Sequence, residues 1–562
     1  YLRPYRAGIA LGLVLVVVAN AFGILTPWLV GVAVDALEWP DITARVVLLY
    51  AAAVVGVALL SGAARYGMRE LLNGISRRVE TDLRNRFFEH LLRLDASFHG
   101  TKRTGDLMSR ATNDTQAVRM AAGPAVMYLV NTVVMTAFAL ALMIRVSPRL
   151  TLVTLVPMLL LPPIALGFGR IIHRRFERIQ DHLGRLSNLV QENLSGVRIV
   201  RAYGQEEQQR REFDALNEGY LQRNMELART SALFHPVLTF LTGTGMVILL
   251  WYGGRQVVAG SVSVGDFIAF GFYLAMLTWP MISLGWVINL FQRGAASMGR
   301  INRILAVEPR VAEPDDPVPL VRVRGEIEFR NVSFRYPGTE RLVLDDVSFR
   351  IPAGSTVALV GPTGAGKSTV VALIARLYDP DEGAILLDGV PLPRLSLREL
   401  RGAIGLVPQE AFVFSETIAD NIAMGLDTGE RREERIREAA RIARLEEAIA
   451  GFPEGYQTRL GERGINLSGG QRQRTTLARA LARDPRILVL DDALSAVDTH
   501  TETEILTGLR HVRRGRTAII VSHRVSAVMD ADLILVLDEG RVVERGTHHE
   551  LIRANGLYSS LL

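Results

Sequence analysis

Six apolar runs dominate the first half of the chain, near residues 8–34, 46–64, 121–144, 150–172, 232–252 and 266–291. Each is long enough to cross roughly 30 Å of hydrocarbon as a helix of about 20 residues, so six membrane spans are predicted. Pro148 and Arg149 separate the third run from the fourth, and Gly253, Gly254 and Gly260 mark a short connection between the fifth and sixth. Two connections are long. Ala63–Leu94 lacks proline and sets Leu71, Leu72, Ile75, Val79, Leu83, Phe87 and Leu91 at helical spacing with charges between them. Such a run predicts a helix that continues past the bilayer for roughly 45 Å, with a separate amphipathic surface helix as the alternative. A matching run leads from Ile171 to Glu212, and the turn regions Ser97–Thr112 and Arg198–Glu207 are each expected to hold a short coupling helix.

Residues 308–319 read EPRVAEPDDPVP, acidic and proline-rich, and cannot continue a helix. Beyond about residue 325 the pattern changes to strand-length apolar runs: EIEFRNVSFRY, STVALVG, RILVLD, TAIIVSH and DLILVLDEGRVV, with a helix after Gly366. Continuous apolar runs suit strands buried on both faces, which predicts an α/β domain whose sheet is covered by helices. The expected organisation is an α-helical transmembrane domain of six long helices with cytosolic stalks over residues 1–305, a linker over 306–322 and the α/β domain over 323–562.

Composition narrows the class. Of 562 residues, 49% are hydrophobic and 22% charged, too apolar and too long for one soluble domain or a disordered chain. The lack of cysteine removes disulfide scaffolds, zinc thiolate sites and cysteine nucleophiles. The net charge of +6 suggests nucleic acid until it is located: residues 1–322 hold 33 Lys/Arg against 24 Asp/Glu, whereas residues 323–562 hold 31 against 34. The excess lies in the long connections, with eleven Lys/Arg from Arg65 to Arg119 and eleven Arg from Arg170 to Arg229. By the positive-inside rule these connections and the α/β domain face the cytoplasm, and no nucleic-acid partner is expected.

Sixty-two of the 64 basic residues are arginine, so Lys102 and Lys367 stand out. Lys367 lies in Gly361-Pro362-Thr363-Gly364-Ala365-Gly366-Lys367-Ser368, a G-x-x-x-x-G-K-[ST] loop between the strand STVALV and an apolar helix. Glycines there let backbone N–H groups turn inward around phosphate oxygens, and the helix N-terminus adds partial positive charge. A compact ammonium reaches the terminal phosphates where a forked guanidinium would not fit. RILVLDD, residues 486–492, ends a strand in paired carboxylates, with Asp491 placed to hold Mg²⁺ alongside the Ser368 hydroxyl. Leu467-Ser468-Gly469-Gly470-Gln471 opens a further helix and offers a second phosphate-binding N-terminus. One nucleotide already has its loop, so the second cradle is expected to close over a nucleotide held by another copy of the domain.

In this order the motifs resemble the ATP-binding cassette family over nearly the whole chain. The resemblance implies ATP and Mg²⁺ as cofactors, with Thr369 extending the phosphate loop. Tyr336 (RYPGTE) resembles the family's adenine-stacking aromatic, and Gln409 (LVPQE) its glutamine that senses metal and water. Ser495-Ala496-Val497-Asp498 resembles the D-loop, His523 (VSH) the switch histidine and GERG at 461–464 the exporter X-loop. Asp492, His523 and Gln409 are thereby the expected catalytic residues, and Ser368, Gln409 and Asp491 the expected metal ligands. RTGDLMSRATND at 103–114 and the six-span layout resemble exporter half-transporters that handle drugs, lipids or peptides.

Two positions depart from that pattern. The residue after the strand-end aspartate is normally Glu; here it is Asp492, shorter by one methylene or about 1.5 Å. A misplacement of about 1 Å can cost on the order of 10²-fold in rate, so this chain's own site is expected to bind ATP and hydrolyse it slowly. The intact LSGGQ would meanwhile complete a competent site on a second, non-identical half that carries the Glu. This resembles heterodimeric exporters with one degenerate site. Arg459 stands where the family usually shows an acid before GERG. The spans carry few ionisable groups: His235 is the main one, with Asn20, Asn131, Trp28, Trp251, Trp279 and Trp286 elsewhere. Small hydrophobic or amphipathic cargo and membrane lipid are the expected partners. An ATP-driven exporter of a bacterial inner membrane is expected, with a lipid flippase or an ATP-gated channel on the same scaffold as alternatives. The six spans exclude a cassette ATPase acting on DNA.

Overall fold

The computed structural model describes residues 2–39, 42–426, 429 and 431–561, apart from the side chain of Arg463, so that this part of GERG lies outside the described residues. The chain divides into two compact units, Tyr1–Glu89 with Gly105–Ala306, and His90–Thr104 with Val307–Leu562. Among the described residues, six helices are long and apolar enough to cross a membrane: α1 (Arg3–Ala36), α2 (Ala44–Arg93), α4 (Thr104–Val146), α5 (Pro148–Ser195), α7 (Glu206–Val258) and α8 (Val264–Leu305). Two short helices, α3 (Ala96–Thr101) and α6 (Val197–Ala202), occupy the two turn regions. The 50 residues of α2 extend about 75 Å, well beyond a bilayer. Leu48, Leu49 and Leu59 on it are 69–70% exposed, an apolar face suited to hydrocarbon rather than water. The third span starts earlier than its apolar run, at Thr104. It contains two π-helical turns, Arg110–Asp114 and Ala121–Ala125, the second holding Pro124, which has no N–H to donate.

Within the first unit, glycines bring helix backbones together. A Cβ on Gly265 of α8 would lie 2.0 Å from the Gly31 carbonyl oxygen of α1. Beside this crossing the Asp35 carboxylate accepts the Gly265 N–H at 2.6 Å and the Ser263 hydroxyl at 2.7 Å, capping α8. Asn20 donates to Asn131 at 2.9 Å, so two of the polar residues noted in the spans satisfy each other. Asp114, also buried, accepts Ser297 Oγ and Arg300 Nε, each at 2.9 Å, and ties α4 to α8.

Among the described residues of the second unit, ten strands form two sheets: β1 (Ile327–Phe334), β2 (Leu344–Ile351), β3 (Thr356–Val360), β4 (Glu382–Leu387), β5 (Val390–Pro391), β6 (Ile404–Val407), β7 (Ile487–Asp491), β8 (Thr517–Val521), β9 (Leu533–Asp538) and β10 (Arg541–Gly546). The antiparallel sheet has order β2-β1-β4-β5; the larger sheet, β10-β9-β3-β8-β7-β6, is parallel except where β10 returns along β9. Only β1 of the antiparallel sheet falls within the strand runs read from the sequence. All residues of β3, β7 and β8 are buried, as continuous apolar runs require. Period-two alternation then sorts them. Val357, Leu359, Ile487, Val489, Ile519 and Val521 enter one core with β1, β2, β4 and helix α9 (Lys367–Ile374). Ala358, Val360, Leu488, Leu490 and Ile520 enter a second core under α10 (Gly469–Ala482) and α11 (Thr499–Arg513).

The proline-rich segment is irregular, yet fastened. Glu313 accepts the Leu397 N–H at 3.0 Å, Val318 donates to Arg394 O at 2.9 Å and the Leu320 N–H reaches Glu399 at 3.1 Å.

Candidate functional site

The loop from Gly361 to Ser368 joins β3 to α9, and its backbone is one that glycine alone adopts easily. Gly361, Gly364 and Gly366 have φ of 153°, 86° and 97°. Added Cβ atoms would stand 2.1 Å from Leu537 O at Gly361 and 2.9 Å from Val343 O at Gly366, contacts that backbone cannot relieve. The loop curls around the Lys367 ammonium, which donates to Gly361 O and Pro362 O at 2.7 Å each. Burial pulls the Lys367 ammonium below its ordinary value, while Asp491 and Asp492 act to hold it up. Tyr336, half-buried, hydrogen-bonds Thr369 at 3.0 Å and stands edge-on to Phe334 and Tyr378, with centroids 5.1 and 5.4 Å away. This fixes the ring plane beside the start of α9.

Strand parity places Asp491 on the α9 side of β7, since Ile487 and Val489 share that face. Burial pushes its carboxyl up, the Ser368 hydroxyl pulls it down, and the neighbouring Asp492 and Lys367 add smaller opposing pushes. Asp491 Oδ1 is buried with no hydrogen-bond partner among the described residues. A buried carboxylate oxygen without a donor, beside a hydroxyl and a cation-lined loop, is chemically suited to a hard cation bound jointly with phosphates. Among the described residues no group of three or more His, Asp or Glu could hold a metal by itself.

Asp492 follows at φ 47°, anchored by its N–H to Val521 O at 2.9 Å. It lines a cavity of about 20 Å³, room for a single water, with Ser495, Glu502, Ser522 and Arg524. Gln409 is exposed two residues past β6, and His523 is exposed two residues past β8. Among the described residues no hydrogen bond joins either to Asp491 or Asp492. The structure thus gathers the loop, Ser368, Asp491 and Asp492, and leaves Gln409 and His523 on flanking loops.

The LSGGQ residues begin α10 through a reciprocal cap: Gln471 N–H donates to Ser468 Oγ at 3.2 Å, and Ser468 N–H to Gln471 Oε1 at 2.9 Å. Gln473, buried one half-turn on, was invisible to motif reading. Its Nε2 donates to Ser495 Oγ at 2.9 Å and its Oε1 accepts the Ala496 N–H at 2.8 Å, so it clamps the D-loop onto α10. From the other side Arg524 pairs with the buried Glu502 and donates to Ser495 O at 3.0 Å. Asp498 caps α11 through the Thr501 N–H at 2.9 Å. Arg479 of α10 likewise grips the stretch beyond Gln409, donating to Phe412 O at 2.9 Å and to Asn421. Gln473→Ala removes both bonds to the exposed Ser495 and Ala496, and the expected result is a loss of about 0.5–1.5 kcal/mol per bond in domain stability. Faster amide exchange across residues 493–498 checks it, with Gln473→Glu, which keeps the acceptor alone, falling between.

Arg459 makes an exposed ion pair with Glu416 at 3.2 Å, worth little. In the spans, His235 is exposed beside the Phe234 ring at 5.6 Å, Trp286 packs edge-on to Tyr128 at 5.1 Å and Trp251 lies under Arg255 at 5.9 Å. Trp28 and Trp279 are exposed.

Two family models match the chain, "ABC transporter transmembrane region" over residues 9–281 and "ABC transporter" over residues 344–495. The chain is 39% identical to the probable multidrug resistance ABC transporter ATP-binding/permease protein YheI of Bacillus subtilis, across 99% of this chain and 95% of that one. It is 38% identical to the multidrug resistance-like ATP-binding protein MdlA of Escherichia coli, across 100% and 94%. With an ATP-dependent lipid A-core flippase of Syntrophus aciditrophicus the identity is 36%, across 100% and 92%. A solved bacterial Atm1-family ABC exporter with ATP bound superposes with a TM-score of 0.80 at 30% identity, covering 99% of this chain and 98% of that one.

Proposed function

The chain belongs to the ABC transporter family, as an exporter-type half-transporter that couples ATP hydrolysis to transport, and from that premise we propose that it exports hydrophobic or amphipathic cargo as one half of a non-identical pair. It is a multi-pass membrane protein with a cytoplasmic ATP-binding domain; a bacterial inner membrane is the proposed location. The observation that carries the unequal pairing lies within one domain, where an ordered phosphate loop and an intact capped LSGGQ coexist with Asp492 in the place of a catalytic glutamate. In this reading the chain resembles the degenerate-site half, TmrB, of the multidrug exporter TmrAB.

In this reading Tyr336 stacks on adenine, and Gly361 to Thr369 cradle the phosphates with Lys367 on the terminal ones. Ser368, Asp491 and Gln409 would hold Mg²⁺, which supplies charge neutralisation between those phosphates. Asp492 reaches short of the water that a glutamate would polarise, and His523 and Gln409 close in from their flanking loops. Leu467 to Gln471, with Ser495 and Asp498 of the D-loop, complete the partner's site. Two ATP molecules clamp the paired domains, the turns at α3 and α6 transmit closure, and the cavity opens outward. Hydrolysis at the competent site resets it. The driving term is the higher affinity of ATP for the closed state.

The sparse charge of the spans, with Asn20 and Asn131 paired to each other, supports apolar or amphipathic cargo. The test is uptake of the amphipathic dye Hoechst 33342 into inverted membrane vesicles containing the complex isolated through this chain. ATP-dependent accumulation against a gradient, with a second and different half-transporter in the isolate, is expected. Accumulation only down a gradient favours the channel, and ATP-dependent movement of a fluorescent phospholipid without dye favours the flippase.

A further inference from the structure

One carboxylate in the second unit joins two stretches of chain that lie 215 residues apart. Asp95 Oδ1 accepts the N–H groups of Ser97 at 2.9 Å and Phe98 at 3.3 Å, which caps α3. Its other oxygen, Oδ2, accepts the N–H groups of Arg310 at 2.5 Å and Val311 at 3.1 Å, in the proline-rich segment that follows the last span. A cap needs one oxygen; the second is committed to the linker. The linker side is not a loose end, because Val311 is 5% exposed and Glu313 is hydrogen-bonded to the Leu397 N–H at 3.0 Å. The α3 side is not loose either. The Asp95 charge acts on Tyr378, whose hydroxyl is pushed up by burial first, then by Tyr336 and Asp95, and Tyr378 stands edge-on to Tyr336.

We propose that Asp95 is a positioning residue for coupling, a pin that holds the first cytosolic turn and the interdomain linker as one body beside the Tyr336 face. The proposal rests on the export reading above. Movement of the nucleotide-binding domain then carries α3 and the linker at Arg310 and Val311 together, instead of being lost in slack along the proline-rich segment. Burial raises the Asp95 carboxyl, and the N–H groups of Val311, Arg310 and Phe98 with the Ser97 side chain outweigh it and hold it below its usual range, so the pin persists throughout the neutral range.

Asp95→Ser separates the two duties. Serine is as good a helix cap as aspartate but has one oxygen and a shorter reach, so α3 stays capped while Arg310 and Val311 are released. In the complex isolated through this chain and reconstituted in lipid, Asp95→Ser is expected to leave the KM for ATP and the ATPase rate within about two-fold. Hoechst 33342 taken up per ATP hydrolysed should fall about ten-fold, and amide exchange should rise across residues 307–313 while staying unchanged across 96–101. Asp95→Ala, which removes both duties, should speed exchange in both segments. Unchanged linker exchange and unchanged uptake per ATP in Asp95→Ser would overturn the pin and leave Asp95 a helix cap. If the unaltered complex hydrolyses ATP but takes up no dye, the export reading fails for that cargo, and linker exchange in Asp95→Ser still decides the pin.

Discussion

Lys367→Ala is expected to weaken ATP binding at this chain's own site by about 10- to 100-fold, the loss of a charged hydrogen bond worth about 1.5–3 kcal/mol. Lys367 is 7% exposed, inside a loop where a side chain at Gly361 or Gly366 would run into backbone carbonyls, and it is the sole lysine of the nucleotide-binding domain. Its ammonium also bonds Gly361 O and Pro362 O, so truncation strips Gly361 O of its donor and leaves Pro362 O only the Ala365 N–H at 3.3 Å, as well as removing the phosphate-facing charge. A modest drop in thermal stability therefore accompanies the loss of affinity. Lys367→Arg keeps the charge and separates the two effects: the forked group is larger and cannot enter the same space, so affinity should fail there too. Titration of the reconstituted complex with a fluorescent ATP analogue, beside thermal unfolding of each variant, checks both. Turnover that depends on this site should drop by about 10²- to 10³-fold, the usual cost of removing one preorganised donor from a charged transition state. An affinity within three-fold of the unaltered protein would mean that the loop does not hold phosphate.

What the sequence conveys and what it withholds divide along a physical line. The spans, the phosphate loop and the buried strands are local: a run of 20 apolar residues, a glycine spacing or a stretch such as ILVLD carries its meaning within one window. Alternation even predicts the face of Asp491, because the strand that carries it has a period of two. Gln473, Arg524 with Glu502, Arg479 with Asn421, and Asp95 with Arg310 belong to another kind of information. Their partners lie 22 to 215 residues away, and no spacing rule reaches across that distance. Glu502 looks like an ordinary first-turn acid of α11 until its burial is seen. The antiparallel sheet was obscured differently: β2 alternates buried and exposed residues, and its exposed Asp346 and Arg350 mask the strand in a window dominated by charge. The earlier start of the third span has the same origin, since Thr104–Met120 is too polar to stand out by hydropathy and is helical through contacts such as Asp114 with Arg300.

Asp492→Glu is expected to raise hydrolysis by the isolated chain by about 10- to 100-fold, reversing a reach deficit of about 1.5 Å. The backbone favours the experiment. Residue 492 sits at φ 47°, where aspartate is more at home than glutamate, but its N–H is fixed to Val521 O at 2.9 Å and its carbonyl accepts Ser495 Oγ at 3.0 Å. The longer side chain therefore starts from the same anchored Cα and pays at most about 1 kcal/mol in backbone preference. The Asp492 charge already acts on the Lys367 ammonium, so the longer carboxylate starts within electrostatic reach of the phosphate loop. A gain in rate at unchanged ATP affinity places the deficit in the chemical step, because the phosphate cradle is untouched. The same measurement decides the pairing. A slow isolated chain that the substitution accelerates needs a partner with the longer carboxylate to turn over at full speed. A chain that is already fast, and that Asp492→Glu changes by less than two-fold, has a working carboxylate in Asp492. Two identical copies then suffice, and the unequal pair proposed above has no remaining support in the site.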